Sequence, residues 1–92
     1  MNITVHLLGQ LGHIAGRDSV AVEAEDAASV REVVLHVTAA HGASFREIVF
    51  TPDGAFRPSL MVLCNEVPID KDAPPKLRDG DQVTLLTAIA GG

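Results

Sequence analysis

The sequence predicts an α+β domain in which one main helix packs on one face of a mixed four- or five-stranded sheet. Three observations carry that expectation. A capped, valine-striped segment at 29–41 has the spacing of an amphipathic helix. Short apolar runs of strand length lie on both sides of it, at 3–8, 19–24, 60–64 and 82–87. Glycine, proline and aspartate turns separate the runs. At 92 residues the chain is expected to make one domain, 1–92, with no room for a second core.

Ile3-Thr4-Val5-His6-Leu7-Leu8 alternates as a strand, with Ile3, Val5 and Leu7 on one face. Gly9, Gly12 and Gly16 punctuate the loop that follows, and Leu11, Ile14 and Ala15 within it are expected to fold back as a turn of helix over the sheet. Ser19–Ala24 is a second strand with Val20 and Val22 inward, pairing with the first as a long hairpin. Ser29-x-x-Glu32 is a capping box: the hydroxyl accepts from the Glu32 N–H and the carboxylate reaches back to the Ser29 N–H. Val30, Val33, Val34 and Val37 then follow at i, i+3, i+4 and i+7, and Gly42 supplies the stop. The β-branched residues lower helix propensity. The cap, the spacing and the terminal glycine outweigh them, giving a helix over 29–41.

Residues 43–58 carry all three aromatics, Phe45, Phe50 and Phe56, and Thr51-Pro52-Asp53-Gly54 reads as a turn. Leu60–Cys64 is a continuous apolar run, as expected of a strand covered on both faces or nearly so. Asn65 turns the chain into a short Val67-Pro68-Ile69 segment, Pro74-Pro75 is a stiff connector, and Asp79-Gly80-Asp81 is a tight turn into the last strand, Gln82–Thr87. The order is β-β-α-β-(β)-β. A helix after a hairpin crosses to the other half of the sheet. With the first and last strands as central, parallel neighbours, the arrangement is the β-grasp.

Composition narrows the function classes. A hydrophobic content of 47% with mean hydropathy +0.24 is far from the signature of disorder, and a chain of this size buries roughly 60–65% of its unfolded surface. Net charge is −5 with no cluster of Lys or Arg, which argues against nucleic-acid binding by phosphate neutralisation. The acidic surface suits a partner with a basic docking face. Cys64 is the lone cysteine, so no internal disulfide or cysteine metal cluster forms. Met1-Asn2-Ile3-Thr4 runs straight into a strand pattern without a charged or cleavable leader, and the apolar runs are too short to span a bilayer. The expectation is a cytoplasmic protein with no membrane segment.

Candidates for chemistry are few. His6, His13, His36 and His41 show no ligand spacing and read as structural or surface histidines, so no metal site is expected. Cys64 lies in an apolar run without a basic neighbour and reads as a buried, inert thiol. Glu66, Asp70, Asp72, Asp79 and Asp81 read as a solvated rim of turns, with part of a partner-binding edge as the alternative. No phosphate loop, hydrolase elbow or zinc-protease helix is present. The feature with chemical promise is the tail, Ala88-Ile89-Ala90-Gly91-Gly92, which follows directly from the last strand. Two residues without Cβ make a strip of backbone thin enough for a narrow channel. A partner can bind it as an added strand, with Ile89 in a pocket and Ala88, Ala90 and Gly91 as small neighbours. The plainer reading is a frayed, flexible end over 88–92.

With that order, the turn Leu77-Arg78-Asp79-Gly80-Asp81-Gln82-Val83 and the Gly-Gly end, the chain resembles the ubiquitin-like sulfur carriers, a family that includes the molybdopterin synthase small subunit and the thiamine-pathway carrier. The resemblance covers the whole chain, specifically over 77–92 and loosely through 43–58. It implies a protein cosubstrate rather than an enzyme, with no bound cofactor. An ATP-dependent activating enzyme adenylates the Gly92 carboxylate, a sulfur donor (a rhodanese or cysteine desulfurase) leads to a thiocarboxylate, and an acceptor such as a molybdopterin synthase large subunit takes the sulfur. The same tail serves a ubiquitin-like modifier that forms isopeptide bonds through Gly92, and a plain interaction module is a third class. Where relatives often carry Asn-Gly after the central strand, this chain has Asn65-Glu66. Its tail lacks the prolines common in molybdopterin synthase subunits and looks nearer to carriers serving cysteine or other sulfur metabolites. Its length is closer to the molybdopterin type than to the shorter thiamine carriers. The pathway, molybdopterin, thiamine or cysteine, stays open at this point.

Overall fold

The first and last strands lie side by side at the centre of the sheet. The computed structural model describes residues 1–87, with five strands: β1 (Asn2–Leu8), β2 (Ser19–Glu23), β3 (Leu60–Cys64), β4 (Val67–Pro68) and β5 (Gln82–Thr87). Their order is β2-β1-β5-β3-β4. β1 runs antiparallel to β2, from Asn2↔Glu23 to His6↔Ser19, and parallel to β5, from Thr4↔Gln82 to Leu8↔Leu86. β5 runs antiparallel to β3, from Leu60↔Thr87 to Cys64↔Val83, and β4 closes the edge. This is the β-grasp that the element order predicts.

Two helical segments cover one face. The short α1 (Gln10–Ala15) buries Leu11. A Cβ on Gly12 would lie 2.6 Å from the Leu7 carbonyl oxygen, so α1 folds tightly onto the end of β1 because this residue has no side chain. The main helix, α2 (Val30–Val49), begins at Ser29, whose Oγ accepts from the Glu32 N–H at 3.2 Å. Such a cap contributes about 1 kcal/mol. The reciprocal half of the capping box differs from expectation: the Glu32 carboxylate accepts from the Ser29 hydroxyl at 3.5 Å rather than reaching its N–H. Val30, Val33, Val34 and Val37 are all buried, as the stripe requires.

The main difference from the sequence reading lies beyond the predicted stop. Gly42 does break the helix, with φ 86° and ψ −176°, a conformation that glycine adopts freely. The chain then resumes helical geometry to Val49. Phe45 and Val49, four residues apart, are fully buried, and Ile48 packs against the same core. Burial of this second stripe drives the resumption. After it, Phe50 bridges to Phe56 with the rings 5.1 Å apart, and the Arg31 guanidinium lies over both. The predicted turn at 51–54 is present, closed by the Gly54 N–H on the Thr51 carbonyl. Lys71 Nζ then straps the approach to β3 by donating to the carbonyls of Arg57, Pro58 and Leu60.

With both helices on one side, the sheet has a covered face and an open one. Ile3, Val5, Val62, Val83 and Leu85 are sealed beneath the helices. β3 is therefore not covered on both faces as its apolar run suggests, and Met61 stands 46% exposed on the open side. Cys64 is half-buried at the edge of the covered face rather than fully buried. No helix among the described residues is long and apolar enough to cross a membrane.

Candidate functional site

β5 is held on both sides along its length, and it delivers the chain to residue 88. Val83, Leu85 and Thr87 alternate into the core, and the Leu60↔Thr87 pair is the last rung of the β3–β5 ladder. A strand paired on both flanks and packed on one face is a rigid base for whatever follows it. The residues expected to carry function, Ala88, Ile89, Ala90, Gly91 and Gly92, lie outside the described residues.

Around the end of β5 the open face carries an apolar row that the sequence reading missed. Leu8 pairs with Leu86 and Leu86 with Met61, so three side chains from three adjacent strands stand in line. Leu8 is 43% exposed, Met61 46%, and Leu86 half-buried between them. The doublets Leu7-Leu8 and Leu85-Leu86 were the available signal. Each puts an apolar residue at an outward position in the last two residues of an alternating strand, where a polar one is the norm.

At the other end of β5 the open face is polar. His6 Nε2 and Gln82 Oε1 are 2.7 Å apart, and these residues line a groove of about 550 Å³ with Leu8, Thr84, Asn65 and Glu66. Asn65 is clamped to the start of β5: its N–H donates to the Gln82 carbonyl, its Oδ1 accepts from the Gln82 N–H, and its Nδ2 donates to Asp81. The Asn65 amide, with the Arg78 N–H, holds the Asp81 carboxyl below the usual carboxylate range. Asp79 accepts from the Asn2 N–H and Asp70 from the Asp72 N–H, so much of the acidic rim caps turns. Glu66, Asp70, Asp72 and Asp79 are exposed.

Other candidates are not brought together. His41 bonds the Val37 carbonyl within its own helix, while His13 and His36 are exposed. Among the described residues no group of three His, Cys, Asp or Glu is placed to hold a metal ion. Burial, with Asp81 nearby, pushes the Cys64 thiol up from its ordinary value. A raised value means less thiolate at neutral pH, hence a poor nucleophile.

The sequence model of the ThiS family matches residues 5–92. The chain belongs to the ThiS family. Solved structures agree with that placement over nearly the full length. The crystal structure of SAMP1 from Haloferax volcanii is 25% identical, covers 100% of both chains and superposes with a TM-score of 0.87. The crystal structure of the Amycolatopsis orientalis BexX/CysO complex contains a chain 25% identical, covering 98% of this chain and 99% of that one, at a TM-score of 0.71. A putative molybdopterin converting factor, subunit 1, from Pyrococcus furiosus is 22% identical, covers 97% and 99%, and gives 0.76, a likeness of fold. None of the curated proteins matches the chain. For this ThiS-family chain, the sulfur-carrier fold expected from the Gly-Gly tail and the last turn is thus shown.

Proposed function

We propose that this chain is a sulfur carrier whose Gly92 carboxylate is adenylated by an ATP-dependent activating enzyme and becomes a thiocarboxylate that donates sulfur in biosynthesis. The observation that carries the reading is the placement of β5: a core strand locked between β1 and β3 ends at Thr87, five residues before Gly92, in a chain matched by its family through Gly92. Adenylation turns a poor electrophile into an acyl phosphate, with pyrophosphate as the leaving group. Sulfide then displaces AMP to leave the thiocarboxylate; where the donor is a persulfide, its attack gives an acyl disulfide, which a second thiol of the donor cleaves, freeing the thiocarboxylate and leaving a disulfide on the donor. Bare backbone at Gly91 and Gly92 lets the acyl carbon be attacked inside a closed site, where exclusion of water protects the mixed anhydride. The apolar row Leu8-Leu86-Met61 beside the strand end suits a protein partner that grips the domain while its channel takes the tail. The acceptor is an enzyme subunit of the kind seen with the molybdopterin-converting-factor relative from Helicobacter pylori, whose structure is a complex of subunits 1 and 2.

Deleting Gly92 tests this. It withdraws the carboxylate by about 3.3 Å or more along an extended chain, whereas misplacement by about 1 Å can cost roughly a hundredfold in rate. With activating enzyme, ATP and a sulfur source, intact mass should show oxygen-to-sulfur exchange in the wild type and none in the deletion, at unchanged thermal stability. A wild-type yield from the deletion would sink the carrier reading.

A second reading, a protein modifier acting through Gly92, is favoured by the likeness to SAMP1, described as small archaeal modifier protein 1 in a second Haloferax volcanii structure. The same reaction separates the two, because conjugates of higher mass mark a modifier.

A further inference from the structure

The two-residue turn between β3 and β4 holds a long side chain where the backbone favours none. Asn65 and Glu66 both adopt left-handed conformations, at φ 50° and 70°, as a tight hairpin turn requires. Asparagine tolerates that region and glycine is free in it, but glutamate is strained there. Asn65 answers for its place with three hydrogen bonds to the start of β5. Glu66 is exposed and makes no ion pair or side-chain hydrogen bond among the described residues. Strain kept at an exposed position that contributes no internal contact points to a role outside the fold.

Its surroundings say which role. Glu66 stands over the groove on the open face of the sheet, with Leu8 and Thr84 among the groove residues and His6 paired to Gln82. Asp81, another acid in this turn region, already accepts from Asn65 and Arg78. Glu66 is therefore the one carboxylate lining the groove among the described residues, in a chain of net charge −5. We propose that Glu66 is a recognition residue that receives an arginine or lysine side chain of the protein partner docking on this face. The alkyl stem of such a side chain lies along the groove past Thr84 while its charged head meets the carboxylate. Once a partner covers the groove, water no longer screens the pair, and its strength rises over that of an open surface ion pair. This inference rests on the chain being a protein cosubstrate, and it names the chemistry of one contact that its activating enzyme makes.

The test compares Glu66→Gly, Glu66→Gln and Glu66→Lys with the wild type in two measurements. One is the Kd for purified activating enzyme by calorimetry, which needs no turnover. The other is KM and kcat for the carrier in ATP–pyrophosphate exchange. Glu66→Gly should melt about 4 °C higher, because the turn is relieved, and yet bind about tenfold more weakly with kcat unchanged. Glu66→Gln should lose similar affinity without the gain in melting temperature, and Glu66→Lys should lose more. The difference from wild type should shrink as salt is raised. Affinity equal to that of the wild type in the Gly and Gln variants overturns the proposal, as does failure of the wild type to bind at all. Normal binding without adenylation refutes the carrier reading instead, and leaves Glu66 to be decided by the Kd series.

Discussion

On one face of the sheet Leu7, Val62 and Leu85 are sealed beneath α1 and α2, while on the other Leu8 and Met61 stand open with Leu86 between them. The same strands supply both sets, one residue apart in sequence. On the covered face the apolar side chains form one buried cluster with those of the helices, and removing one leaves a cavity. On the open face the apolar row touches solvent, so it adds little to folding and presents a surface to another protein. Stability and recognition are thus divided by the pleat of a strand. The polar end of the open face, at Asn65 and Glu66, accepts backbone strain, as does Ala27 in the connection ahead of α2.

Breaking the covered face should have the largest effect. Phe45→Ala removes a fully buried ring from the helical segment that follows Gly42, and is expected to lower stability by about 3–5 kcal/mol in denaturant unfolding. A loss below about 1 kcal/mol, the ordinary range for a surface site, would mean that the second segment is not part of the core. On the open face, Met61→Ser should change stability by no more than about 0.5 kcal/mol while raising KM for the carrier in adenylation. If instead the protein unfolds, the open face is carrying structure and the division fails.

The smallest effect belongs to the clamp at the polar end. The folded-state value of the Asp81 carboxyl is depressed, by the Asn65 amide first and the Arg78 N–H next. The unfolded carboxyl titrates near 3.9, so the clamp's contribution is complete above that value and is lost as pH falls through the lower folded one. Thermal melts of wild type and Asp81→Asn between about pH 2 and 6 should therefore converge at the acid end. A difference that stays constant across the range would assign the effect to lost hydrogen-bond geometry rather than charge.

Much of the scaffold was legible residue by residue. Ser29 and Glu32 announced the start of α2, the four valines its buried face, and Gly42 its break, because caps, periodicity and positive φ are local properties. The Asn65 turn was visible as a departure from Asn-Gly, though not that Glu66 would be held in the left-handed region. The helix over 43–49 was missed. Its spacing, Phe45, Ile48 and Val49, is helical but short, and a segment of that length is not stable without the core it packs on.

By itself the sequence determined the element order and the Gly-Gly end that points to carrier chemistry, and it made parallel pairing of the first and last strands follow once they are central neighbours. These follow from short-range patterns and from the few topologies that a hairpin, a crossover helix and a closing strand allow. Only the tertiary structure decided which apolar residues are core and which are surface. Leu7 and Leu8, or Met61 and Val62, are equally apolar in the chain. What separates them is that both helices pack on one side of the sheet, and burial is a property of that packing rather than of the residue.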